Sequence, residues 1–205
     1  MPASVTSPAD MINLSLRRIG YKLRVGSLYD GSTAAKTALD IYAQTRDAVL
    51  VENDWDFAER NLTMTLLKSA PVGGYVPPTV WNPATNPPPG FLFEYAYPGD
   101  CLKVRAVKPV PLFVLNFDPQ PNRFFLANDT SFTPAQKVIL CDVPNGNLVY
   151  TGQVTDPATW EPGFIEALAA ALGRRLVPSL MGLNAIQPAA ADEQASLATA
   201  ENEQG

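Results

Sequence analysis

Proline is the feature that most restricts the fold of this chain of 205 residues. Of its twenty prolines, twelve lie between Pro71 and Pro121. Proline lacks a backbone N–H and fixes φ at about −65°, so it disfavours helix interiors and central strands. We therefore predict short strands and long loops in the middle of the chain, with helical segments before and after them.

The N-terminal part carries the signals of two helices. Ser7 can cap free N–H groups, and Pro8 suits the first helical position, so a first helix is predicted from there to Gly20. Ser32 or Thr33 opens a second helix that runs to about residue 54, and apolar residues recur at helical spacing in both segments. Two helices joined in this way can pack as an antiparallel pair.

The middle part alternates apolar and polar residues over short stretches, as strands do. We predict strands at 61–67, 91–97, 102–107, 110–115, 123–126, 137–140 and 148–150, in an antiparallel meander or a small barrel-like sheet. The proline-rich loop at 71–90 contains Tyr75, Val80 and Trp81. Because a free linker gains nothing from exposed aromatic rings, we expect this loop to be held against a neighbour.

The C-terminal part is again helical in pattern. Phe164, Leu168, Leu172 and Leu176 recur every four residues and predict a buried stripe on one helix. The segment 189–200 has good helix propensity, but it has few large apolar residues and no cation. Two interpretations of it stay open: a helix that docks on another chain, or a frayed acidic terminus.

These patterns together predict an α+β fold with an antiparallel helical bundle as its core. Residues 1–58 and 153–185 would form the helical core, residues 59–152 a small inserted antiparallel β-sheet domain, and residues 186–205 an extended C-terminal tail. The chain lacks a stretch of about 20 apolar residues, so we expect no membrane span. Its first ten residues do not resemble a secretory signal, so we expect a reducing cytoplasm as its compartment.

Composition excludes several kinds of chemistry. The chain has no histidine, which removes the Ser-His-Asp triad and histidine-ligated zinc. Its two cysteines, Cys101 and Cys141, are too few for a four-cysteine metal site; they are either buried free thiols or a disulfide or reactive thiol. The net charge of −5 argues against tight binding of nucleic acid. We expect no catalytic residue, metal or cofactor.

Two other functions stay open at the level of the sequence. Glu94 and Asp100 could act as the two carboxylates of a glycan-cleaving enzyme, a class that needs no histidine. Alternatively, Tyr75, Trp81 and Tyr97 could form a receptor- or glycan-binding module, because aromatic rings stack on sugars. The same rings also anchor protein interfaces, and two solvated loop acids need have no catalytic role.

Several motifs in chain order resemble a known family over residues 7–185. They are Asn13-Leu14-Ser15-Leu16-Arg17-Arg18-Ile19-Gly20, Tyr42 with Arg46-Asp47, Trp55-Asp56-Phe57-Ala58, Tyr97-Pro98-Gly99-Asp100-Cys101, and Tyr150 with Asp156 and Phe164. In these respects the chain is similar to the head-to-tail adaptor proteins of tailed bacteriophages, the tail accessory or tail tubular protein A-like family.

This resemblance implies a structural role in the neck or tail of a virion. Members form a ring, commonly of twelve subunits, that binds the portal protein and a tail nozzle or tail tube protein, and double-stranded DNA passes through it without specific binding. On this basis Leu183, Ile186 and Leu197 are expected to contact the portal. The loop residues Tyr75, Val80 and Trp81 are expected to contact a neighbouring subunit or the tail.

Overall fold

The computed structural model describes residues 5–75, 80–109, 121–182 and 186–204. The chain divides into two compact units. Unit 1 is Met1–Ala58 with Gln153–Gly205, and unit 2 is Glu59–Gly152. Unit 1 is thus built from both ends of the chain, and unit 2 is continuous in sequence.

Four helices form unit 1 over the described residues. They are α1 (Pro8–Arg18), α2 (Thr33–Glu52), α3 (Pro162–Leu180) and α4 (Ile186–Gln204), with short 3-10 turns at Asp56–Ala58 and Pro157–Thr159. The predicted caps are confirmed: the Ser7 side chain accepts a hydrogen bond from the Asp10 N–H, and the Ser32 side chain accepts one from the Ala35 N–H. The Asp156-Pro157 pair opens only a 3-10 turn.

Helix α3 is the central element of unit 1. The predicted stripe of Phe164, Leu168, Leu172 and Leu176 is fully buried, which confirms the pattern. Small residues on α3 let its neighbours approach closely: a Cβ added at Gly173 would lie 2.9 Å from Cγ2 of Ile19, just after α1. Burial of both large and small side chains makes α3 the surface on which α1, α2 and α4 pack.

An aromatic cluster joins the N-terminal and C-terminal parts of unit 1. The Phe164 ring packs edge-on against three rings, with centroid distances of 5.2 Å to Trp55, 5.1 Å to Phe57 and 5.1 Å to Trp160. The Trp55 indole N–H also donates a hydrogen bond to the Val49 carbonyl at 2.8 Å. The cluster joins the segment after α2 to the start of α3, although the whole of unit 2 separates them in sequence.

Unit 2 consists of two antiparallel sheets. Its strands are β1 (Glu59–Thr63), β2 (Leu66–Ser69), β3 (Phe93–Ala96), β4 (Cys101–Lys108), β5 (Phe124–Asp129), β6 (Gln136–Cys141) and β7 (Asn147–Gly152). One sheet has the order β1-β7-β4 and the other the order β2-β3-β6-β5.

One core lies between these sheets. Val107 and Leu148 come from the three-stranded sheet and Tyr95 and Ile139 from the four-stranded sheet; all four belong to the same buried cluster. Cys101 and Cys141 are also buried in it as free thiols, and burial raises the pKa of both. The thiols therefore contribute apolar volume to the core.

The predicted fold class is wrong in its main feature. The structure is α+β, with four helices and two antiparallel sheets in the described residues, so a helical bundle is not the core of the whole chain. The predicted strand 61–67 is in fact two strands, β1 and β2, that pair with β7 and β3 in different sheets. Alternation of apolar residues reports which face is buried but not which strands pair, so it could not reveal a second sheet that shares a core with the first.

Two further predictions concern particular segments. Residues 186–204 form α4, and its Ala200 side chain is buried, so an extended tail is also wrong. The good helix propensity of the segment is realised because α3 and α1 of the same chain supply the docking surface.

The predicted strand at 110–115 lies outside the described residues. None of the described helices combines the length and the apolarity that crossing a membrane requires.

Replacing Phe164 with alanine should destabilise unit 1 by about 3–5 kcal/mol, because it removes a fully buried ring from the aromatic cluster. Urea unfolding followed by tryptophan fluorescence measures this change. The control is Leu39→Ala on α2, where the side chain is 42% exposed and the cost should stay below about 1 kcal/mol. Equal costs for the two variants would contradict the central role of the cluster.

Candidate functional site

The proline-rich loop is held in place by its aromatic residues. The Tyr75 hydroxyl and the Trp81 indole N–H both donate to the carbonyl of Pro87, at 2.7 and 2.9 Å. The adjacent Val80 side chain is 81% exposed and Trp81 is 42% exposed. The structure thus brings two of the three predicted loop residues onto one carbonyl and leaves Val80 facing solvent.

A buried charged cluster of Lys68, Glu94 and Asp129 lies beside this loop. Of these three residues, only Glu94 was a candidate from the sequence. Lys68 on β2 is 5% exposed, and its ammonium donates to the Pro83 carbonyl at 2.8 Å, to the Ser131 hydroxyl at 2.9 Å and to the Asp129 carboxylate. Glu94 on β3 is 2% exposed, and its Oε1 lies 3.3 Å from the same ammonium nitrogen. Two carboxylates therefore share one cation.

The two carboxylates titrate differently. Burial, together with the neighbouring Asp129, raises the pKa of Glu94 to about 6, although the Lys68 ammonium opposes the shift. Burial by itself would raise the pKa of Asp129. Hydrogen bonds from Lys68 and Ser131 outweigh this effect and lower the pKa of Asp129 to about 2. At neutral pH both are ionised, and the cluster carries one excess negative charge.

A small cavity opens next to the cluster. Its volume is about 180 Å³, and Lys68, Glu94 and Asp129 line it together with Trp81 and Pro88. Its wall combines a half-exposed indole ring with a carboxylate that is almost fully buried. Glu94 and Tyr95 are both buried, although successive side chains of a strand point to opposite faces, so β3 is covered on both faces and alternation alone could not mark Glu94 as buried.

The carboxylates considered as a catalytic pair lie in different networks. Asp100 contacts Arg60 at 2.6 Å and accepts a hydrogen bond from the Tyr150 hydroxyl at 3.2 Å. Glu94 contacts Lys68, as described above. Tyr97, considered for sugar stacking, has the Lys137 ammonium 3.9 Å from its ring centroid. The structure therefore does not collect Glu94, Asp100 and Tyr97 into one site.

The residues expected to contact the portal lie at or near α4. Leu183 is outside the described residues, Ile186 is the first residue of α4, and Leu197 is half-buried on that helix. Helix α4 packs on α3 and also makes several polar contacts with α1. The Arg18 guanidinium at the end of α1 donates to Asp192 at 2.8 Å and to Ser196 at 2.7 Å.

Two more ion pairs surround this contact. Arg18 also pairs with Glu166 on α3, and Arg174 on α3 pairs with Glu193 on α4. Arg18 belongs to a basic cluster near the end of α1, and in the structure it pairs with acids of its own chain. The feature of the sequence that indicated such pairing was the acidic C-terminal helical segment, which has no cation of its own.

Within the described ranges, no group of three or more Asp, Glu, Cys or His side chains is placed to hold a metal ion. Neither the models of known protein families nor the curated proteins compared with this chain match it.

Glu94→Gln should remove a pH-dependent loss of stability. A carboxyl whose pKa rises from 4.5 to about 6 on folding stabilises the fold fully below pH 4.5 and loses that contribution as the pH rises through 6. The stabilisation from Asp129 is lost only as the pH falls toward 2, outside this range. The wild type should therefore lose about 1–2 kcal/mol more than the variant between pH 4.5 and 7.5.

Urea unfolding at the two pH values measures this difference. Asp100→Asn, which removes a carboxylate of unit 2 outside the cavity, is the matched control and should behave as the wild type does. An identical pH dependence in wild type and Glu94→Gln would contradict the assignment.

Arg18→Gln should loosen α4, because it removes both ion pairs of Arg18 and its hydrogen bond to Ser196. A loss of about 1–2 kcal/mol corresponds to a drop of about five- to thirtyfold in amide-exchange protection over residues 188–201. Arg17→Gln changes the exposed neighbour on the same helix and should leave protection unchanged. Unchanged exchange in Arg18→Gln would show that apolar contacts alone hold α4.

Proposed function

We propose that this chain is a structural virion protein, a ring-forming adaptor between the portal and the tail of a tailed bacteriophage that extends the DNA channel. The motifs that resemble the adaptor family support the proposal, and the two-unit organisation suits it. A ring subunit needs a self-sufficient core together with surfaces that make heterologous contacts with its neighbours.

The observation that carries the proposal is the exposure of apolar side chains in unit 2. Eight large apolar residues of this unit are exposed among the described residues: Leu62, Leu66, Val72, Val80, Trp81, Leu92, Phe125 and Leu126. Several lie on β2 and β5, the two edge strands of the four-stranded sheet, or next to them. Exposed apolar edges favour association with other chains, so their concentration here supports a role in assembly.

The polar docking of α4 is a second support. A helix that is held by Arg18 and Arg174 and covers few apolar residues can exchange its partners at little cost. Leu197 on this helix stays half-buried, so part of its apolar surface remains for another chain. The net charge of −5 also suits a channel protein that lets DNA slide, because basic surfaces retain phosphates.

A glycan-cleaving enzyme is the second candidate, and the pKa of Glu94 near 6 favours it, since a general acid needs a raised pKa. However, such enzymes need a second carboxylate across an open cleft. Asp129 is engaged with Lys68 and Ser131, and Asp100 with Arg60. A glycan-release assay that compares the wild type with Glu94→Gln separates the candidates: turnover that depends on Glu94 would favour the enzyme.

Particles that lack this protein should fail to retain packaged DNA or to attach a tail. Electron microscopy and a nuclease-protection assay of mutant particles measure both defects. Particles that lack the protein but keep their DNA and carry tails would contradict the proposal.

The double variant Val72→Ser with Val80→Ser tests the surface of unit 2, because both side chains are strongly exposed and each should bury apolar area on assembly. We expect an unchanged fold by circular dichroism and about a tenfold loss of association between copies of this chain in a mixture with the portal protein. Val51→Ser, an exposed valine of unit 1, is the control. Full association of the double variant would exclude this loop from the interface.

A further inference from the structure

One oxygen of the Glu94 carboxylate in the charged cluster of unit 2 has an ion-pair contact but no hydrogen-bond donor among the described residues. The Lys68 ammonium has three protons, and three acceptors already take them: the Pro83 carbonyl, the Asp129 carboxylate and the Ser131 hydroxyl. Among the described residues, none donates a hydrogen bond to Oε1 of Glu94, although the side chain is 98% buried. Such a group costs stability unless something else pairs with it.

The charge balance of the cluster also leaves one negative charge without a matching cation. Lys68 and Asp129 compensate each other through a direct hydrogen bond, so the charge of Glu94 is left over. Apart from Lys68, Glu94 and Asp129, no further ionisable side chain among the described residues lines the cavity. The cavity therefore favours a cation that donates hydrogen bonds, whereas a hard metal ion prefers about six oxygen ligands, and no group of three or more Asp, Glu, Cys or His side chains among the described residues is placed to supply them.

The wall and the size of the cavity restrict the cation further. The half-exposed Trp81 ring and the ring of Pro88 form apolar walls, and the Trp81 indole is fixed by its hydrogen bond to Pro87. Aromatic faces attract ammonium groups, and apolar walls attract the attached methylene groups. A volume of about 180 Å³ admits a short alkyl chain with its charged end but not a large ligand.

We propose that this cavity binds the ammonium group of an alkylamine, with Glu94 as its counter-ion and Trp81 as its aromatic wall. The amine is either a free small molecule or the side chain of a lysine presented by another protein. The site stands independently of the adaptor role, and that role does not require it.

Nuclear magnetic resonance of the full-length ¹⁵N-labelled protein tests the site directly. The chain has three tryptophans, and Trp55 and Trp160 are buried, so the indole signal of Trp81 reports on the cavity and is assigned by its loss in Trp81→Phe. At pH 7.5 and constant ionic strength, n-butylammonium should shift this signal saturably, and the neutral analogue n-butanol should not.

Substitution and pH both test the role of Glu94. Glu94→Gln should weaken n-butylammonium binding at least tenfold, and Asp100→Asn should leave it unchanged. Lowering the pH to 5 should weaken wild-type binding about tenfold, because Glu94 is then largely protonated, whereas the low pKa of Asp129 on β5, which accepts a hydrogen bond from Lys68 on β2, keeps that carboxylate ionised. The absence of a saturable shift, equal binding of n-butanol, or unchanged binding by Glu94→Gln would overturn the proposal.

A second variant keeps the test decisive if Glu94→Gln does not fold. Trp81→Leu alters a half-exposed side chain, and saturation-transfer signals from the methylene protons of n-butylammonium should fall at least threefold. Unchanged signals would overturn the site. The source of the amine is resolved by N-acetyl-lysine methylamide: tighter binding than n-butylammonium indicates a lysine side chain, and weaker binding indicates a free amine.

Discussion

The packing of Phe164 against Trp55, Phe57 and Trp160 is the constraint on which unit 1 depends. These rings lie at the two points where the chain leaves the helical unit and returns to it. Helix α3 buries its apolar stripe only when the two ends of the chain meet, because α1 and α2 come from the other end of the chain. The cost of closing so long a loop is met by dense aromatic and aliphatic packing.

Polar interactions are used differently in the two units. In unit 1 the pairs of Arg18 and Arg174 are partly exposed, and they attach a helix whose own apolar surface is small. In unit 2 the Lys68 cluster is buried, so an imbalance of charge there is costly. The first arrangement is suited to exchange of a segment between partners, and the second to recognition of a small charged group.

Local patterns predicted local structure well and long-range structure poorly. The caps Ser7 and Ser32 and the buried stripe of α3 follow from short-range rules, and the structure contains them. The division of 61–67 between two sheets depends on a pairing partner more than 25 positions away. The pairing of Arg18 with Asp192 depends on a residue more than 170 positions away. The Lys68 cluster was missed for the same reason, since Glu94 and Asp129 reach it from other strands.

The pairing of β1 with β7 places Glu59 opposite Thr151, so the two ends of unit 2 leave from neighbouring positions of one strand pair. Paired residues in an antiparallel ladder have Cα atoms only about 5 Å apart. An insertion anchored in this way can be lengthened, shortened or exchanged without stretching the host fold. The gene segment for residues 59–152 is therefore suited to recombination, through which one helical scaffold could acquire new specificities.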